Sequence, residues 1–250
     1  MSKPRWSYGV TTVPERRSTT LPGTLASLKA GGFEAPRLFI DGIKDAEAWR
    51  LEFGLEVTTR YPRVRVAANW TLALAELYFR DPLATWYFLA QDDLVCYKNL
   101  RQYLEQSRMP TEGYCNLYTF PVNQILMPKL DERRGSNDWQ NYRVGWHHSN
   151  QMGQGAVALV FGREAAITLL SHRHMYQRAP DCQTGWRKID GGIVQSLVEK
   201  HDGPKGWREY CHHPSLVQHV GHQSTIGNCS PCALSFRSES YDAMELLREA

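Results

Sequence analysis

The sequence predicts an α/β protein, a mostly parallel sheet flanked by helices, with a smaller second lobe. Three observations carry that expectation. Short apolar runs recur through the first half of the chain, two of them ending in acidic residues. Between them lie stretches with apolar residues at helical spacing. The alternation of the two is the rhythm of βαβ units, whose strands run parallel. A length of 250 residues, with 42% hydrophobic and 22% charged residues, suits a globular chain that buries a sizeable core. A disordered chain, a collagen and a coiled coil are excluded, and no repeat or low-complexity tract is present.

In chain order, Trp6–Val13 reads as a strand running into Thr11-Thr12-Val13-Pro14. Ser18–Lys29 reads as a helix, with Leu21, Leu25 and Leu28 on one face and Gly31-Gly32 as its stop. Arg37–Asp41 is a short apolar strand ending in a carboxylate and Gly42, and Val64–Ala67 reads as another strand. Trp70–Phe79 is a helix halted before Asp81-Pro82. Thr85–Ala90 is a third apolar strand, ending in Gln91-Asp92-Asp93, and Lys98–Gln106 is the helix after it. The second half is less regular. Tyr114–Phe120 and Gly155–Phe161 read as strands, Arg163–His172 and Asp190–Lys200 as helices, and Glu209–Cys211 and Leu216–Val220 as short strands. Residues 121–152, polar and without a period, read as a long functional loop. Residues 227–250 read as a tail packed on the surface. No linker cuts the chain, so one domain is expected over 1–250, with a nucleotide-binding half over about 1–110 and an acceptor half over about 111–226.

Lys and Arg exceed Asp and Glu by 29 − 26 = +3, which permits a phosphate-bearing ligand without demanding a nucleic acid. The N-terminus has no apolar run of signal-peptide length and no stretch approaches a membrane span. A soluble, cytoplasmic protein with reduced cysteines is therefore expected. Cys229-Ser-Pro-Cys232, with Cys211, His212, His213, His219 and His222 near it in sequence, is a candidate zinc site, although no second CxxC exists.

Ligands of open α/β sheets sit beyond the carboxyl ends of the strands. Thr11, Thr12, Val13, Arg16 and Arg17 fall there; they could hold a nucleotide or simply form a strand-to-helix turn. Asp41-Gly42 could accept from a base or ribose, or be an ordinary turn. The adjacent acids Asp92 and Asp93 follow a buried apolar strand, where a divalent cation on a diphosphate would compensate them; an acidic turn capping the next helix is the alternative. His219 and His222 lie near the end of a late strand and could complete the coordination of Mn²⁺. Asp190, at the start of a helix, is either an N-cap or a general base.

Taken together and in this order, these segments resemble the GT-A class of nucleotide-sugar glycosyltransferases, a Rossmann-like fold. The likeness runs over most of residues 6–225: the Thr12-Val13-Pro14-Glu15-Arg16 turn, Asp41-Gly42, the helix led by Asn69, the run into Gln91-Asp92-Asp93, Gly155–Gly162, Asp190 and Pro214–Gly221. The last stretch looks most like the N-acetylglucosaminyltransferase IV type branch. Where that class has Asp-x-Asp, this chain has Gln91-Asp92-Asp93.

The resemblance implies a metal-dependent transferase that moves a sugar from a nucleotide-sugar donor, UDP by default, to an acceptor hydroxyl, with Mn²⁺ or Mg²⁺ and inversion at the sugar. It implies Asp93, with His219 or His222, on the metal; Asp92, Gln91, Asn69, Gly42 and Gly155 around the donor; Thr11, Thr12, Val13, Arg16 and Asp41 around the nucleotide; and Asp190 as base. The acceptor, a glycan or a hydroxymethylated DNA base, would lie under residues 121–152 and near Trp186, with Trp146 and His147 lining it. Two readings of other classes stand beside this one. One is a non-catalytic nucleotide- or carbohydrate-binding module on a degenerate scaffold, favoured by Gln91. The other is a zinc-containing nucleic-acid-binding protein.

Overall fold

The structure, a computed structural model, describes residues 3–119, 142–176, 189–220 and 232–250. Its strands are β1 (Trp6–Thr12), β2 (Arg37–Asp41), β3 (Val57–Arg60), β4 (Trp86–Gln91), β5 (Leu94–Cys96), β6 (Gly113–Asn116), β7 (Gly145–His148), β8 (Ala158–Gly162), β9 (Arg208–His213) and β10 (Val217–His219). Its helices are α1 (Leu21–Ala30), α2 (Glu47–Phe53), α3 (Arg65–Arg80), α4 (Leu100–Gln106), α5 (Arg163–Ser171), α6 (Ile189–Leu197) and α7 (Leu246–Glu249).

Eight strands form one sheet in the order β3-β2-β1-β4-β8-β6-β9-β7. The first four are all parallel, as the βαβ rhythm predicts. Beyond β4 the sheet is mixed: β8 runs antiparallel to β4 and β6, β9 parallel to β6, and β7 antiparallel to β9. A second sheet pairs β5 with β10, antiparallel, with His219 opposite Leu94.

The central strand β4 shows why the sheet has two covered faces. Trp86, Phe88 and Ala90 join one core with Trp6, Val10, Leu21, Leu28 and Leu104. Tyr87 and Leu89 join the other with Phe39, Trp70, Leu74, Phe161 and Ile193. Alternate residues of a strand face opposite sides, so a strand buried on both faces is apolar throughout. Helices α1 and α4 cover the first face; α3, α5 and α6 cover the second.

Several elements depart from the sequence reading. The strand expected at Val64–Ala67 is the start of α3, and the strand of that region is β3, at Val57–Arg60. The cause is tertiary: the Asp41 carboxylate at the end of β2 accepts the amides of Val64 and Arg65, each at 2.7 Å. That capping fixes a helix start where the local sequence reads as extended. Helix α2, closed by Gly54 in the left-handed region at φ 64°, was not anticipated. Strand β7 lies within the stretch read as loop. The C-terminal segment is more than a surface tail: Ala233, Ala243 and Leu246 are buried in the first core, and Phe236 stacks on Tyr97 at 4.7 Å.

Candidate active site at the carboxyl ends of the central strands

The chain leaves β4 at Gln91 and enters β5 at Leu94, so Asp92 and Asp93 occupy the corner between the two sheets. Gln91 is fixed on both counts: its backbone amide donates to the Val157 carbonyl at 2.8 Å, and its Nε2 to the Ala156 carbonyl at 2.9 Å. Both aspartates are buried. Thr12 Oγ1, at the end of β1, donates to Asp92 Oδ2 at 2.5 Å. Burial pushes the Asp92 carboxyl up to about 6, against the pull of that hydroxyl, and the neighbouring Asp93 adds to the rise.

Asp93 faces two basic side chains. Arg16 Nη2 lies 3.5 Å and His219 Nε2 3.2 Å from its Oδ2. Arg16 is presented by the 3₁₀ turn Pro14–Arg16 that follows Val13, and its Nη1 bonds Thr20 Oγ1 at 3.2 Å. His219 is delivered by the pairing of β10 with β5, extended by the Val220 amide donating to the Asp93 carbonyl at 2.8 Å. Asp93 Oδ1 and His219 Nδ1 are buried with no hydrogen-bond partner among the described residues. Such orphaned atoms are costly unless something else engages them. Asp93 Oδ1 and the His219 Nε2 that faces the same carboxylate are donors of the type that suits a borderline divalent ion, whereas Nδ1 lies across the ring from Asp93. Among the described residues no group of three or more His, Cys, Asp or Glu could hold a metal by itself.

The other residues expected around a donor have these partners. Asp41 is buried with its two oxygens on the Val64 and Arg65 amides. Asn69 is also buried, its Nδ2 donating to the Phe39 carbonyl at 3.0 Å. Thr11 Oγ1 bonds the Ala90 carbonyl at 3.3 Å. Gly42, at φ 110°, lies under the Arg63 guanidinium; a Cβ there would sit 2.6 Å from Nε. Arg63 in turn bonds both oxygens of Glu15 at 2.8 and 3.0 Å, tying the turn after β1 to the loop after β3.

Asp190 lies in the first turn of α6, and its Oδ2 accepts the Gly155 amide at 2.9 Å. Gly155 leads into the Ala156 and Val157 carbonyls that hold Gln91, so one strip of backbone joins Asp190 to the corner carrying Asp92 and Asp93. Trp146 and His147 are placed apart from this group. They sit on β7, the far edge strand, four places from β4 in the sheet order. Trp146 Nε1 bonds Ser107 Oγ at 3.3 Å, and His147 Nε2 pairs with the Arg143 carbonyl at 2.8 Å. Trp186 and His222 lie outside the described residues, as does Cys229. Of the other zinc candidates, Cys211 is buried within β9 and Cys232 is exposed. Both ring nitrogens of His212 are engaged, Nδ1 with the Pro214 carbonyl and Nε2 with the Tyr103 hydroxyl.

Sequence reasoning overlooked a buried polar network on β9, centred on Glu209 with Asn116, Ser149 and Gln151. The one available signal was a charged residue inside a short strand, between Arg208 and Tyr210.

No protein-family profile matches the chain, and no curated protein matches its sequence. Solved structures do match. A crystal structure of GalNAc-T7 with UDP, GalNAc and Mn²⁺ aligns with a TM-score of 0.56 at 12% identity, covering 88% of this chain and 45% of that one. The chain thus spans under half the length of GalNAc-T7. HddC from Yersinia pseudotuberculosis aligns at TM-score 0.46 and 8% identity, over 85% of this chain and 93% of that one. A197 from STIV aligns at 0.43 and 14% identity, over 92% and 95%. Among the described residues no helix is long and apolar enough to cross a membrane. What the sheet order and the likeness to GalNAc-T7 establish is the fold, an α/β fold of the GT-A type.

Proposed function

We propose that the chain is a divalent-metal-dependent glycosyltransferase that moves a sugar from a nucleotide-sugar, a UDP-sugar by default, to an acceptor hydroxyl with inversion. The observation that carries this reading is the convergence of Thr12, Arg16, Asp92, Asp93 and His219 at the carboxyl ends of β1 and β4. The fold is shared with a protein solved with UDP, GalNAc and Mn²⁺, which supports the donor and the metal.

Asp93 and His219 would hold the ion, with His222 as a further candidate from the sequence. When bound, the ion supplies positive charge to the departing diphosphate. Arg16, beside Asp93, places a fixed positive charge at the same corner and stabilises the charge that develops on the leaving group. Thr12 holds Asp92, and that carboxylate would reach the donor ribose or sugar. Asp190 takes the proton from the acceptor hydroxyl as its oxygen attacks the anomeric carbon; the Gly155 amide holds the carboxylate in place. One carboxylate on the acceptor side, acting as base, suits inversion. The acceptor is a hydroxyl compound, with glycans and hydroxymethylated DNA as the two classes to offer.

The test uses UDP-GalNAc and UDP-GlcNAc with Mn²⁺, reading UDP release with either acceptor class or with water. Asp190→Asn is expected to keep UDP binding and lose about 10²-fold or more in turnover. Wild-type turnover in Asp190→Asn would remove Asp190 as the base.

A further inference from the structure

Strand β9 buries a carboxylate that the proposed chemistry does not use. Glu209 is 0% exposed. Ser149 Oγ donates to its Oε2 at 2.6 Å and Asn116 Nδ2 to its Oε1 at 3.2 Å. The Tyr114 hydroxyl and the Gly153 amide add further donors, against the burial that pushes the carboxyl up. A buried carboxylate is tolerated where donors surround it in this way.

These donors act on one stretch of chain. Ser149 and Gly153 belong to the segment 149–155, and Asn116 Nδ2 also donates to the Gln154 carbonyl at 2.9 Å. Gln151 completes the hold through the Glu209 backbone, accepting its amide and donating to its carbonyl, both at 2.8 Å. The opposite side of the segment lies against the first turns of α6. A Cβ on Gly153 would sit 2.6 Å from Val194 Cβ and 2.8 Å from the Asp190 carbonyl oxygen, so the Val194 side chain and the Asp190 backbone leave no room for one there. The segment ends at Gly155, whose amide holds Asp190 Oδ2.

We propose that Glu209 is a positioning residue for Asp190: it locks the 149–155 segment so that the Gly155 amide fixes the direction of the Asp190 carboxylate. This rests on the reading of Asp190 as the base. A glutamine at 209 keeps the shape but turns an N–H toward a donor, so at least one of Ser149, Asn116, Tyr114 and Gly153 loses its acceptor. The segment then relaxes, and the hydrogen bond that favours ionised Asp190 is lengthened or lost.

The test compares wild type, Glu209→Gln and the milder Ser149→Ala. One readout is titration of the Asp190 carboxyl by ¹³C NMR with labelled aspartate, assigned by Asp190→Asn. Loss of an amide hydrogen bond to the ionised form is expected to raise its pKa by about one unit. The second is UDP release from UDP-GalNAc with Mn²⁺, where kcat is expected to fall about tenfold or more with its acid limb moved up, while KM and the calorimetric affinity for UDP stay within about threefold. An unmoved Asp190 titration in folded Glu209→Gln and Ser149→Ala overturns the proposal. So does a parallel loss of UDP affinity and turnover, which marks a merely structural residue. If Glu209→Gln does not fold, Ser149→Ala decides by the same readouts. The Asp190 titration needs no substrate, so it separates failure of the positioning from failure of the glycosyltransferase reading.

Discussion

Acid should weaken this fold through one buried imidazole. His212 is 0% exposed. Its Nδ1–H donates to the Pro214 carbonyl at 2.7 Å, and its Nε2 accepts from the Tyr103 hydroxyl, so the neutral ring is satisfied at both nitrogens. Trp146 and Tyr103 pack edge-on against it, with centroids at 5.0 and 5.3 Å. Burial pulls its pKa from 6.5 down to about 3. Below 6.5 the unfolded chain therefore binds a proton that the folded chain refuses. The stabilisation is full above 6.5 and is lost as pH falls toward 3. Between pH 7 and pH 5 the loss covers about 1.5 pH units at roughly 1.4 kcal/mol each, or about 2 kcal/mol. Urea unfolding, followed by tryptophan fluorescence at pH 7, 6 and 5, measures it against His212→Gln. The variant is expected to be less stable at pH 7 but to lose about 2 kcal/mol less on acidification. His213, drawn down to about 4 by burial, contributes to the slope in both proteins and drops out of the comparison. Equal slopes in the two proteins, within about 0.5 kcal/mol, would refute the buried neutral imidazole as the cause.

Two further outcomes follow from the site's framework. Gly153→Ala places a Cβ 2.6 Å from Val194 Cβ at φ +61°, and is expected to cost about 1–3 kcal/mol in urea unfolding and to lower UDP release with the shift of Asp190. Asp41→Asn turns an amide N–H toward one of two backbone amides, at Val64 or Arg65, and is expected to destabilise by about 1–3 kcal/mol; an unchanged urea midpoint would mean that α3 does not need this cap.

The parts of the fold legible in the sequence were those whose burial is written locally. The runs of β2 and β4 are mostly apolar because both sheet faces are covered, and the acids at their ends mark the corner proposed as the site. What stayed hidden depends on distant partners. The start of α3 is set by Asp41, 23 residues upstream of Val64. Strand β7 has no apolar alternation, because it is an edge strand whose residues are only partly buried. The antiparallel turn of β8 leaves no mark in a βαβ pattern. Within the site, Asp92, Asp93, Arg16, Thr12 and His219 meet as their positions implied, and Asp190 reaches Gly155. Asp41 and Asn69 turn inward to hold backbone, a role their residue types do not distinguish from ligand binding. Glu209 was marked only as a charge in a short strand, because its partners come from two distant stretches of chain, at 114–116 and 149–153.

The most direct measurement is calorimetric titration with UDP, with and without Mn²⁺, on wild type and Asp93→Ala. Metal-dependent binding is expected in wild type, and its loss in Asp93→Ala, since Asp93 carries a buried unpartnered Oδ1 beside His219 Nε2. Equal UDP binding with and without Mn²⁺, or unchanged binding in Asp93→Ala, would contradict the metal-held donor site; no binding in any condition would contradict the glycosyltransferase reading itself.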